Sequence, residues 1–237
     1  METKPWPDLT SVMAALTLTT GMVEAVSFLA LGPVFTAMQT GNVLLLGFGL
    51  AGEGVVSTVA PSLSLAAFVL GALIGARLES VTEARGLRWF VLALLMESAL
   101  LAGAGFTAWG LGRADGSPSA RHIAAAAVVA LAMGMRNVTA MRAHVPDMPT
   151  TLTTRTLAAL ASGSSLGHDT ALGYGSRGAS ARRSAGVLAM FAGGTLGAWL
   201  LHLQWSPTAV LLLAAALVLA MATASSTAPR RTPPLAK

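Results

Sequence analysis

The sequence predicts an all-α membrane protein with six transmembrane helices and two short re-entrant half-helices, arranged as two inverted-topology repeats. Three observations carry this reading. Asp, Glu, Lys and Arg make up only 11% of the residues, against about 25% in soluble domains. The apolar residues form near-continuous runs, such as LRWFVLALLMESALLAGAGFTAWGLG and SPTAVLLLAAALVLAMATA, and about 20 such residues carry a helix across a bilayer. One pattern also occurs twice. GMVEAVSFLALGPVFTAMQTGNVLL at Gly21–Leu45 returns, degraded, as GMRNVTAMRAHVPDMPTTLTTRTLA at Gly134–Ala158. In both copies Gly-Met is followed by a proline (Pro33, Pro146) and then by a Thr-rich polar segment that opens a short apolar run.

Eight apolar segments follow in order, at about 10–31, 33–52, 57–77, 88–112, 120–142, 148–164, 183–203 and 206–224. The first has Lys4 ahead of it and further spans behind it, so it reads as an uncleaved first helix. The second is interrupted by Gln39, Thr40, Gly41 and Asn42, and the sixth is short and carries Arg155 among threonines. Each follows its predecessor through a tight turn at a proline. The distribution of positive charge decides how these two are read. Eight full crossings with the N-terminus inside would leave Arg77, Arg85, Arg88, Arg136 and Arg142 outside. If segments two and six dip in and return, only Arg113 and Arg121 remain outside. Six crossings are therefore expected, with both termini cytoplasmic.

Each half, about 10–112 and 120–224, then contributes three crossings, and an odd number forces the second half to enter the membrane in the opposite sense. GALIGARL at Gly71–Leu78 and GGTLGAWL at Gly193–Leu200 occupy the same place in the two halves, and both carry G-x-x-x-G. Glycines at that spacing let helix backbones approach closely, and such faces also offer a route to a homo-oligomer. The stretch 167–184 reads as a cytoplasmic loop. The tail 225–237 reads as disordered and suited to anionic lipid. The whole chain is expected to form a single membrane domain.

These residues resemble the YoaK-like family of small bacterial membrane proteins, a family of unknown function. The resemblance lies in G-x-V-(D/E)-A-x-x-F-L at Gly21–Leu29, in T-G-N at Thr40–Asn42, and in G-M-x-N followed by Pro-Asp and a Thr run at Gly134–Thr154. It covers nearly the whole chain. It implies about six crossings in a bacterial inner membrane, and some members carry a small-transporter label. Many relatives repeat T-G-N in the second half, where this chain has Thr153, Thr154 and Arg155. A site built symmetrically from two T-G-N copies is not expected here.

Ionisable groups within crossings default to functional candidates. Glu24 lies within crossing one, just after Gly21, where glycine would loosen the helix and a carboxylate could bind a ligand or carry a proton. Glu97 lies within the fourth apolar segment, 88–112. Arg136 and Asn137 align with Val23 and Glu24. Arg136 has Glu24, Glu97 or an anionic solute as prospective partners, but a position near the inner helix end favours snorkelling to the headgroups, and more so for Arg142. Gln39, Thr40, Asn42, Thr150, Thr151, Thr153 and Arg155 belong to the re-entrant segments, where a half-helix N-terminus suits an anion or a polar group.

The sequence excludes several classes. There are no cysteines, and the four histidines show no metal-ligand spacing. The net charge of +5 is dispersed between apolar segments, which argues against nucleic acid. Gly47–Gly52 fits G-x-G-x-x-G without a preceding strand, so no dinucleotide cofactor is expected. Gly163–Gly167 fits G-x-S-x-G outside any strand–turn–helix context. The reading that remains is a secondary transporter or channel for a small polar solute held between the halves, not an enzyme. Its rivals are a non-transporting scaffold or regulator and, more remotely, an intramembrane serine hydrolase using Ser165.

Overall fold

The structure, a computed structural model, describes residues 9–52, 58–114, 118–145, 153–172, 174 and 176–226. Among the described residues there are eight α-helices and no strand: α1 (Leu9–Val26), α2 (Gln39–Leu50), α3 (Val59–Ala84), α4 (Trp89–Thr107), α5 (Ala120–Ala143), α6 (Thr153–Ser162), α7 (Arg177–His202) and α8 (Pro207–Ser226). All but α2 and α6 are long and apolar enough to cross a membrane, α1 together with the widened π-helical turn that continues it over Ser27–Leu31. The 12 residues of α2 and 10 of α6 reach about 18 and 15 Å at 1.5 Å per residue, short of the roughly 30 Å hydrocarbon layer. Their brevity matches the two segments that the polar interruptions single out in the sequence.

The long helices pack as three pairs: α3 on α5, α1 on α7, and α4 on α8. Glycine sets the first two. A Cβ built at Gly71 would collide with the Leu131 carbonyl, and one at Gly75 would press on Met135. A Cβ at Gly193 would collide with the Leu18 carbonyl, and one at Gly197 would press on Met22. Successive turns of each helix meet successive turns of its partner, so both pairs run parallel. The G-x-x-x-G segments thus provide close backbone approach, as their spacing predicts. In contrast, α4 and α8 are antiparallel. Ser98 donates to the Ala215 carbonyl at 2.9 Å, Gly105 rests against Thr208 and Leu212, and Arg88 at the start of α4 donates to the carbonyl of Ser226 at the end of α8.

The chain reverses after α1 at Gly32, whose φ of 130° is reached cheaply only without a Cβ. Pro33 follows and forbids a return to helix at Gly32. The same corner meets the entrance to α5: Pro118 lies against Gly32, and the Ala114 amide donates to the Ala30 carbonyl at 2.9 Å. Thus α5 starts where α1 finishes, and the two run in opposite directions.

Three expectations need correction. Gly21 does not loosen crossing one. The helix is regular through Val26 and widens only at Ser27–Leu31, while Gly21 is spent on the approach of α7, where a Cβ would collide with the Met190 carbonyl. The fifth apolar segment, whose Gly134-Met pair repeats that of the first and reads with it as a broken crossing, is continuous from Ala120 to Ala143. The loop expected at 167–184 ends earlier, because α7 begins at Arg177 and carries its basic first turns as helix. Thr150, Thr151 and the tail from 227 onward lie outside the described residues.

Candidate functional site

Glu24 lies seven residues before the end of the first span, about 10 Å along the helix axis. It is 6% exposed. Beyond Gly32 the chain turns back along α1 and brings residues 36 and 37 against the Glu24 carboxylate. Oε1 accepts from the Thr36 amide at 2.9 Å, from the Thr36 hydroxyl at 2.8 Å, and from the Ala37 amide. These donors belong to the turn just ahead of α2, whose cap is Met38. Oε2 is buried and has no hydrogen-bond partner.

A polar clamp holds the turn. Asn42 accepts from the Phe35 amide at 3.0 Å through Oδ1 and donates to the Phe35 carbonyl at 2.6 Å through Nδ2, closing both backbone groups of one residue. Asn42 Nδ2 also reaches Gln39 Oε1 at 2.7 Å and Ser64 Oγ at 3.2 Å. Gln39 Nε2 donates to the Thr36 carbonyl at 2.9 Å, and Ser64 on α3 donates to the Phe35 carbonyl at 2.6 Å. Ser27 stands 3.1 Å from the Thr36 hydroxyl. The clamp thereby pairs both backbone groups of Phe35 and the Thr36 carbonyl within the protein.

Next to Glu24 a cleft of about 310 Å³ opens between α1 and α7, lined by Gly21, Ala25, Phe28, Leu29, Met38, Met190, Gly194 and Ala198. Apart from Glu24 its walls are apolar side chains and glycine backbone.

A second buried cluster lies between α1, α4 and α5. Arg136 is 1% exposed and donates from Nε and Nη2 to Glu97. Its Nη1 donates to the Leu16 carbonyl at 2.9 Å and to Thr20 Oγ1 at 2.8 Å. The expected snorkelling of Arg136 is therefore not seen: its guanidinium points into the bundle, where a buried carboxylate and an α1 carbonyl use its fork. A third cluster lies at the end of the bundle where α3 and α5 finish. Thr139 donates to Glu79, and Arg142 pairs with Glu79 and Glu83 and lies over the Trp89 ring. Arg142 is partly exposed but ion-paired, so it too does more than reach for headgroups.

The candidates fall into separate groups. Glu24, Gln39 and Asn42 share one cluster, in which Gln39 and Asn42 hold the turn. Glu97 and Arg136 form another. Thr40 is exposed on α2, Asn137 and Thr153 are half-buried, Arg155 is exposed on α6, and none of these four joins the Glu24 cluster. Thr36, Ser27, Ser64, Glu79 and Thr139 were not anticipated. Thr36 sits inside the repeated segment and so carried a usable signal, whereas Glu79 lies beyond the 57–77 segment and enters a crossing only because α3 runs on to Ala84. Ser64 carried none.

A bundle of six apolar spans with buried ion pairs and buried carboxylates defines a multi-pass membrane protein. The family described as "Protein of unknown function (DUF1275)" matches residues 12–224, and the chain belongs to that family. It is similar to the UPF0700 transmembrane protein YoaK of Bacillus subtilis (strain 168), with 36% identity over 93 residues, 35% of this chain and 41% of that protein. The alignment thus spans less than half the length of that relative. No solved structure matches.

Proposed function

We propose that this chain is a small secondary transporter or channel of the bacterial cytoplasmic membrane, with its solute site at membrane depth between two inverted repeats and both termini in the cytoplasm. The observation that carries the reading is Glu24. Its carboxylate is buried in a crossing, one oxygen is fixed by the turn ahead of α2, and the other is left without a partner beside a cleft. An intramembrane carboxylate is costly unless it serves a pathway or a structural contact, and Oε2 has no hydrogen-bond partner. Reading α2 and α6 as re-entrant half-helices is supported by their lengths and by the return of residues 36–37 to the level of Glu24. The repeat is supported by the matched packing: Gly21 and Gly134 each meet the backbone of a parallel helix from the other half, at Met190 and Phe68 respectively. The cleft lies on one of these inter-repeat seams, where alternating access by rocking would open and close it.

Two measurements test this. Single cysteines, clean in a chain without native ones, should label from opposite membrane faces at Ala84 and Trp109, and from the same face at Ala84 and Ser226. Labelling of Ala84 and Trp109 from one side would remove the six-crossing threading. For function, a thermal-shift screen of purified protein across metabolites should find a stabilising solute whose effect, and whose uptake into reconstituted vesicles, disappears in Glu24→Gln. Gln keeps an acceptor oxygen for the Thr36 and Ala37 amides, so this variant should stay folded. Glu24→Ala strands both buried amides at about 1–3 kcal/mol each and should unfold earlier. Native protein that responds to no solute favours the scaffold reading.

A further inference from the structure

We propose that the Glu24 cleft takes a small organic cation: a protonated amine carrying an apolar, preferably aromatic, body. This rests on the reading of Glu24 as the solute site and adds the chemical class. A half-helix N-terminus at membrane depth ordinarily suits an anion, but here the donors ahead of α2 are already spent on Glu24 Oε1. The group left over is the second carboxylate oxygen, an acceptor without a donor. The residues that line the cleft with Glu24 include Ala25, Phe28, Met38, Met190 and Gly194, and no Lys, Arg or His is among them. The missing donor must then come from the ligand. An anion would face the carboxylate with no compensating charge, and a neutral polyol would meet one acceptor and otherwise apolar wall. An ammonium group satisfies Oε2 by a charge-assisted bond, its hydrocarbon part matches the walls, and the Phe28 ring offers a π face of the kind that attracts cations. Phe28 is 44% exposed on the outer side of α1, so an apolar body has a route to the cleft from the lipid side. The volume, about 310 Å³, lies at the small end of ligand sites.

The test uses purified full-length protein in detergent with three cationic probes that carry N–H donors, 2-phenylethylamine, hexylamine and benzylamine, against neutral 2-phenylethanol and anionic phenylacetate at neutral pH. At least one cation should raise the unfolding temperature in a saturable way, while the alcohol and the acid do not. Glu24→Gln should weaken that binding by about ten- to a hundredfold, since it removes the charge and places an amide NH₂ at the Oε2 position. Gly194→Leu is the second variant. A Cβ there meets nothing closer than the Gly21 carbonyl at 3.9 Å, so the larger side chain fills the cleft while the carboxylate stays, and binding should again be lost. Equal shifts from amine and alcohol, or cation binding that survives both variants, overturn the proposal. Silence from all three cations, alongside Glu24-dependent uptake of some other solute, overturns the cation class and leaves transport standing. Glu24-dependent cation binding with no vesicle uptake of the bound cation does the reverse.

Discussion

Arg136→Met should lower the stability of the bundle by about 3–5 kcal/mol, the usual cost of stranding a buried charge by removing its partner. The loss comes from what remains behind. Glu97, 1% exposed, would keep its carboxylate in the core without the guanidinium that donates to it from Nε and Nη2. The Leu16 carbonyl and the Thr20 hydroxyl on α1 would lose the Nη1 donor as well, loosening α1 from α5. Lysine should not rescue, because the three donors of an ammonium radiate from one nitrogen and cannot span the partners that Arg136 reaches from three separate nitrogens of a planar fork. The double variant Arg136→Met, Glu97→Leu should recover most of the loss, since apolar side chains of similar volume replace a buried pair at little cost. Unfolding of the four proteins in one detergent gives the comparison. If the double variant is as unstable as Arg136→Met alone, the pair is not the source of the loss. If Arg136→Met is fully stable yet abolishes uptake, the guanidinium belongs to the solute pathway and not to the scaffold.

The sequence made the scaffold more legible than the site, for a physical reason. Lipid imposes a one-dimensional code: a crossing must be long and apolar, so eight segments, two of them interrupted by polar residues, follow from the runs, and the distribution of positive charge reduces the crossings to six. Gly71, Gly75, Gly193 and Gly197 were legible for the same reason, since a small residue at four-residue spacing has few uses other than close approach. The partners of polar residues were not legible. Gln39 and Asn42 stood out because they interrupt an apolar run, but whether their amides face a solute or their own backbone depends on a turn closed by Gly32 and Pro33 and braced by Ser64, 22 positions from Asn42. The position of Arg136 near a helix end suggested snorkelling. Only the placement of Glu97, 39 residues away on α4, shows why the side chain turns inward. Glu24 was legible as an ionisable group within a crossing, but the Thr36 and Ala37 amides that donate to its Oε1 were not, because they reach it only through the same turn.

Gly71→Ala and Gly193→Ala should each destabilise the protein by about 1–3 kcal/mol, the range for overpacking a tight interior, and by similar amounts. The two sites are 122 residues apart in the chain but see the same surroundings. The added methyl at Gly71 runs into the Leu131 carbonyl and that at Gly193 into the Leu18 carbonyl. Leu131 and Leu18 each lie three residues before the Gly-Met pair that begins the repeated segment. Neither obstacle is a flexible side-chain tip, so a helix must move. Gly103→Ala on α4 and Gly186→Ala on α7 provide the controls. Nothing lies within 4 Å of a Cβ at either position, and Ala is the better helix former by up to about 1 kcal/mol, so these should be neutral or stabilising. A helix-propensity effect would move all four variants in one direction, whereas backbone approach splits them into two pairs of opposite sign. A severe Gly71→Ala beside a silent Gly193→Ala would show that the α3–α5 and α1–α7 seams are not equivalent, and the two-repeat reading of the bundle would lose its strongest support. Matched losses mean instead that one packing solution is used at both seams.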